Sequence, residues 1–305
     1  MHQNRPYKHE YSPFLQGMFL LMAYGVASII LAFLINGIPE LKAAAFGDYR
    51  HISTFKILLL TQQLGLFLVP AILLAVVESK RLPRFYGLQA PKINLLLLVA
   101  VLSICWMPLM GFANEWNQKM VFPEFLKGIE RWMREMEDNM AKTTEAILKM
   151  KTINGLLVNL FVIAIVPAIC EEFLFRGAVQ RTIFRIKSNP HIAIWLSAII
   201  FSTIHFQFYG FLPRLLLGAA FGYVYFWTGS IWYAVFAHFL NNAYAVFVAY
   251  YLQANNQSYT NAEDMPMPWY GYLISAILTL ALFKFLKEAA NKTKEVKESA
   301  ENLIP

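Results

Sequence analysis

The sequence predicts an all-α, polytopic transmembrane bundle of about eight spans, and three observations predict it. Hydrophobic residues make up 58% of the 305-residue chain, and charged residues only 15%. The mean hydropathy is +0.46, far from that of a water-soluble domain. Apolar runs of about twenty residues, the length that crosses a bilayer core, recur along the chain. Lipid offers the backbone no hydrogen-bond partners, so each run is expected to be a helix.

The expected spans lie at 17–35, 57–77, 93–113, 153–184, 191–209, 211–228, 231–251 and 269–286. The first begins at Gly17 and reads as a retained span, not a cleaved signal peptide. Residues 1–113 form an N-terminal three-helix membrane region, and 114–152 an amphipathic connection. The polar chemistry falls in a helical core at 153–251. A final transmembrane helix and a short charged tail occupy 252–305. In the connection, Phe125, Ile129, Trp132, Met133, Met136, Met140, Ile147 and Leu148 recur at helical spacing. That pattern suits a helix lying at the interface or docked on the bundle. A plain connector is the simpler reading, and a substrate gate the sharper one.

Charge placement gives an orientation. Arg5 and Lys8 precede the first span, and Lys80, Arg81, Arg84 and Lys92 follow the second. Arg181, Arg185 and Lys187 surround the turn after the fourth, and Lys284, Lys287, Lys292, Lys294 and Lys297 end or follow the last. All fall on one side if both termini are cytoplasmic; Lys42, Arg50 and Lys56 oppose the rule. The net charge of +7 is thereby read as topology, with the lipid bilayer as partner and no nucleic acid. Cys105 and Cys170 both lie in apolar runs and suggest no disulfide framework. The whole fits a multi-pass protein of a bacterial inner membrane.

Against this background the stretch AIVPAICEEFLFRGAVQRTIF, at 164–184, is out of place. Glu171 and Glu172 are adjacent and diverge by about 100° on a helix. Glu172 and Arg176 are spaced i, i+4 and can pair; Glu171 is left without a local partner. Pro167 frees the carbonyl of Ile163, so a kink or opening is expected near Glu171. His205 lies in the next apolar run. Counted back from the turn near Ser188 to Pro190, Glu171 and His205 are level, each roughly 20–25 Å from it. The third element is AHFLNNAY, in which His238 and Asn242 share a face and Asn241 turns away. Counted from Ile231, His238 is only about 10 Å deep, shallower than the other two.

These residues are parts for peptide hydrolysis. A carboxylate can take a proton from water, an imidazole can share that water, and two more donors can hold a tetrahedral oxyanion. Glu171, His205 and His238 would also make a zinc ligand set with water in the fourth position. No HExxH pair is present, and a ligating Glu171 could not easily serve as base. Direct glutamate catalysis without a required cofactor is the preferred chemistry, and zinc the alternative. A non-catalytic scaffold, or a transporter with Glu171 and His205 as a relay, would use the same residues differently.

The segments EEFLFR (Glu171, Glu172, Arg176), FSTIH (Phe201, His205) and HFLNN (His238, Asn242) resemble the three motifs of the CPBP family of intramembrane proteases. That family includes the type II CAAX prenyl endopeptidases and bacteriocin-immunity-like proteins. The resemblance covers roughly residues 150–250, with the motifs in order. It implies that Glu171 and His205 activate water and that His238 and Asn242 stabilise the oxyanion. Glu172, Arg176 and Phe201 would then be supporting residues. Members are commonly labelled metalloproteases. The resemblance leaves the substrate open: a hydrophobic peptide, a membrane protein, or an immunity role without cleavage. A prenylated substrate is allowed by it but not expected in a bacterium.

Overall fold

The structure, a computed structural model, describes residues 11–45, 47–48, 50, 52–78, 81–257 and 267–302, with side chains as far as 293. Arg5, Lys8 and Lys80, used above for orientation, lie outside it, as do the side chains of Lys294 and Lys297. The described chain is all helix and turn. Nine longer helices carry it: α1 (Pro13–Gly37), α2 (Ile52–Glu78), α3 (Ile93–Gln118), α4 (Lys127–Leu148), α5 (Ile153–Lys187), α6 (Pro190–Thr203), α7 (Phe211–Thr228), α8 (Ile231–Ala254) and α9 (Trp269–Asn302).

The expectation of eight spans is overturned. Among the described residues, five helices are long and apolar enough to cross a membrane: α1, α2, α3, α5 and α8. The run at 191–209 fails on length, because α6 has only 14 residues and reaches about 21 Å against a core of about 30 Å. The run at 211–228 is interrupted early by Pro213 and Arg214 and ends among Tyr223, Tyr225 and Trp227. The run at 269–286 is the front of a 34-residue helix whose later half is charged. The charged tail continues that helix to Asn302. Packing explains why these three helices can be shorter or more polar: α6 lies along α7, and α9 along α3.

Local chemistry sets the helix ends. Ser188 adopts a left-handed conformation (φ 53°) that ends α5. Asn189 then caps α6 by accepting from the amides of His191 and Ile192, with Pro190 at the first helical position. Gly229 (φ 72°) closes α7 and donates to the Tyr225 carbonyl at 2.8 Å.

Two spans widen to π geometry just before a proline. In α2 the wide turns cover Gln63–Leu68 ahead of Pro70, and in α5 they cover Leu160–Ile165 ahead of Pro167. A proline offers no N–H and crowds the carbonyl four residues back, so the preceding turn opens. α5 widens again over Phe173–Gln180. The turn of α3 around Pro108 is bridged by Ser275 of α9, which donates to the Cys105 carbonyl (2.6 Å) and accepts from the Leu109 amide (3.1 Å).

α5 is the central helix, packed against α1, α2, α6 and α8. Gly177 on α5 lets the ring of Tyr86, from the short helix Leu82–Tyr86, approach the backbone where a Cβ would collide. The Tyr86 hydroxyl donates to the Ala71 carbonyl on α2. The 82–92 segment also seats the start of α8. The Ile231 amide donates to Gly87 O, the Ser230 hydroxyl to Gln89 O, and the Lys92 amide to the Tyr233 hydroxyl.

The amphipathic connection is a helix, α4, docked on the bundle at its C-terminal end. Ile147 packs with Ala44 and Phe55, and Leu148 with Val246 and Ala249. Near its start Glu130 accepts from the Phe122 amide and pairs with Lys127 and Arg134. Burial by itself would raise the Glu130 carboxyl, but the Phe122 amide, Arg134 and Lys127 together hold it below its ordinary range.

Candidate active site

The site forms where α5 and α8 cross beneath the α6–α7 turn, with α2 alongside. Glu172 is fully buried and joins two partners. Its Oε2 lies 3.0 Å from Arg176 Nε, one helical turn on. Its Oε1 lies 2.8 Å from Nδ1 of His238. The Arg176 contact is ionic rather than a well-aligned hydrogen bond. Arg176 also donates through Nη2 to the Gly218 carbonyl (2.8 Å) and lies 4.9 Å over Phe201 and 5.4 Å from the ring centre of Phe221. A buried guanidinium needs such compensation, since its unpaired transfer from water costs several kcal/mol.

His238 is held on two sides. Phe221 of α7 stacks on its ring at 4.9 Å and 14°, and Glu172 holds Nδ1. A carboxylate at Nδ1 fixes a proton there, so Nε2 is the end that meets the site. It lies 3.8 Å from Glu171 Oε2. Glu171 is not without partners: Oε1 accepts from Gln63 Nε2 of α2 at 2.9 Å.

His205 is outside any helix. α6 ends at Thr203, and the turn continues into Phe206, which has a positive φ of 52°. The Nδ1 of His205 lies 2.8 Å from the Phe201 carbonyl, to which it must donate, leaving the Nε2 lone pair free. Its ring meets Phe201 edge-on at 5.1 Å. It lies within electrostatic reach of Glu171, Arg214 and His238.

Asn242 donates through Nδ2 to the Ile163 carbonyl at 3.2 Å. That is the carbonyl that Pro167 releases, so the amide satisfies the break in α5. Asn241 donates to the Asn242 side chain, at 3.4 Å.

The geometry thus places Glu171, Glu172 and His238 in one cluster, with Arg176 and Phe201 behind it. The shallow depth expected for His238 has a physical reason. Ile231 abuts Gly177, which is already well along α5 from Lys187. From Gly177 back to Glu171 is about 9 Å and from Ile231 on to His238 about 10 Å, so the two residues meet. Gln63 and Phe221 were missed by sequence reasoning. Phe221 gave no signal. Gln63 did, as one of two adjacent amides inside an apolar run, a placement that membrane helices reserve for function or packing.

The alternative zinc set does not form. Among the described residues, no three His, Cys, Asp or Glu side chains group so as to hold a metal ion. One oxygen of Glu171 is engaged by Gln63. No step is therefore routed through a metal.

Residues 153–244 match the model of the family "Type II CAAX prenyl endopeptidase Rce1-like". That segment contains all seven residues of the three motifs, and over it the chain is CAAX-protease-like. Two curated proteins of Bacillus subtilis are similar. "Putative membrane peptidase YdiL" is 30% identical over 106 residues, 35% of this chain and 42% of the relative. "Uncharacterized protein YpbD" is 28% identical over 89 residues, 28% of this chain and 42% of the relative. The matches span less than half the length of either relative. No solved structure matches.

Proposed function

We propose that this chain, CAAX-protease-like across its central helices, is an intramembrane endopeptidase that hydrolyses a hydrophobic or membrane-associated peptide. The observation that carries the reading is the contact of Glu171 with His238, itself locked by Glu172, within the segment that matches the family. Glu171 is the general base, sharing the attacking water with the free Nε2 of His205. As water adds to the carbonyl carbon, its proton passes to Glu171 and charge gathers on the carbonyl oxygen. The proton then goes to the departing amine as the C–N bond breaks.

His238 donates to that oxygen from Nε2. Since Nδ1–H is already given to Glu172, this donation requires a second proton, on Nε2. Asn242 spends one N–H on Ile163 and has a second to offer. Donors of this type contribute on the order of 10²–10³ in rate. Glu172, Arg176 and Phe201 fix His238 and His205. Residues 153–251 are the catalytic core and α1 to α3 its membrane frame, and α4 reaches the turn that carries His205 through Glu137, which accepts from Gln207 at 3.4 Å. We place the chain in a bacterial inner membrane with unprenylated substrates.

The test uses the full chain in lipid vesicles with a mixed library of apolar peptides, read by mass spectrometry of new termini. Wild type yields cleavage products, and Glu171→Gln and His205→Ala lower their rate of appearance at least about a hundredfold. A library cut equally by all three, or by none, returns the chain to a scaffold role.

A further inference from the structure

We infer that Gln63 is a positioning residue for Glu171, a role that rests on the protease reading just given. Gln63 comes from α2, 108 residues before its partner, and its Nε2 lies 2.9 Å from Glu171 Oε1. A carboxylate can only accept, so the amide must present its NH₂ group, and the orientation of the side chain is settled by its neighbour. The other atom, Oε1, is buried and has no hydrogen-bond partner among the described residues. The amide therefore makes no second strong contact that would explain its place in an apolar helix. Its bond to Glu171 is the one hydrogen bond its polar group makes among the described residues.

The backbone supports the same assignment. Gln63 opens the π-widened turns of α2 that precede Pro70. These turns pack on the segment of α5 that carries Glu171 and Glu172. The Phe67 ring meets Phe175 at 6.2 Å. Widening rotates the residues before the proline relative to those after it. It thus lets Gln63 face the carboxylate while Ala71 and Leu74, further along, stay in the core.

With Oε1 of Glu171 held by Gln63, Oε2 is the oxygen turned to His238 at 3.8 Å. One carboxylate oxygen is fixed by a donor, and the other is presented where the water must be. Losing the amide frees the carboxylate to rotate and to engage His238 directly, which would remove the base from the water. Binding of the peptide would be little affected, so the loss would appear in kcat rather than KM.

Two variants of similar size test this in the full chain in lipid vesicles. Gln63→Met keeps the volume without the donor. Gln63→Glu supplies a donor only when its new carboxyl is protonated. The first readout needs no substrate. With ¹³C-labelled glutamate, the carboxylate band of Glu171 is identified by subtracting the infrared spectrum of Glu171→Gln, and Gln63→Met is expected to shift it. The second readout uses a peptide cut by the wild type. Gln63→Met is expected to lower kcat roughly ten- to hundredfold with KM within about twofold, at every pH. Gln63→Glu is expected to be as impaired at neutral pH and to recover relative to wild type as the pH falls. A purely structural role would not produce that recovery. An unmoved infrared band in Gln63→Met overturns the inference, whatever the activity. A moved band with unchanged kcat overturns the positioning role. Cleavage that is indifferent to Glu171→Gln overturns the protease reading instead, while the band still reports whether the hydrogen bond exists.

Discussion

Glu172 and His238, 66 residues apart in sequence, are joined by a buried 2.8 Å contact. It couples the α5 and α8 motifs, and it gives the two adjacent glutamates different tasks. Glu172 is closed off between Arg176 and His238, whereas Glu171 meets Gln63 and the outer edge of the imidazole.

The two glutamates should therefore separate by experiment. Glu172→Ala strands a buried guanidinium, a loss on the order of 3–5 kcal/mol. Glu171→Gln keeps the volume and leaves that pair intact, so stability should change by about 1 kcal/mol or less. Thermal unfolding of the detergent-solubilised variants checks the contrast. Equal losses would contradict the division of roles.

Asn242→Ala leaves the Ile163 carbonyl unsatisfied at the break in α5. A buried acceptor without a partner costs about 1–3 kcal/mol. Hydrogen exchange should show local loosening at residues 160–167 before any global effect. Lost activity with unchanged exchange there would assign Asn242 to the oxyanion alone.

Gly177→Ala places a methyl group into the ring of Tyr86, which is fully buried and anchored on Ala71. Overpacking of this kind costs typically about 1–3 kcal/mol. A fall in melting temperature is expected, and Tyr86→Phe should not relieve it, because the clash is with the ring. The doubly substituted Gly177→Ala, Tyr86→Ala chain should melt no lower than Tyr86→Ala alone.

The start of α4 should loosen in acid. The Glu130 carboxyl lies below its ordinary range in the folded chain, so its contribution is present above the unfolded value of about 4.5. It is lost as pH falls from there through the lower folded value. Limited proteolysis between Phe122 and Arg134 should quicken over that window. Glu130→Gln should cleave readily at neutral pH and show no such dependence.

The parts of the site that were legible in the sequence are the local ones. Glu172 and Arg176 lie one turn apart on any helix, and Pro167 frees Ile163 by covalent geometry alone. The use of Asn242 to satisfy that carbonyl was not legible, because it depends on how α8 crosses α5. Gln63 is more distant still. His205 misled for another reason: IIFSTIHF contains no Gly or Pro to announce that α6 stops at Thr203, so a long span was expected. The same continuity of apolar residues inflated the span count. Hydropathy registers burial against protein and burial in lipid alike, and α6 and α7 pack on each other.

The central claim is that Glu171 activates water for peptide cleavage. Its most direct test compares membranes from cells expressing wild type or Glu171→Gln, with new peptide termini read by mass spectrometry, with and without a zinc chelator. The account predicts termini present in wild type, absent in Glu171→Gln, and retained under chelation. Termini that persist in Glu171→Gln, with both proteins inserted equally, would contradict it.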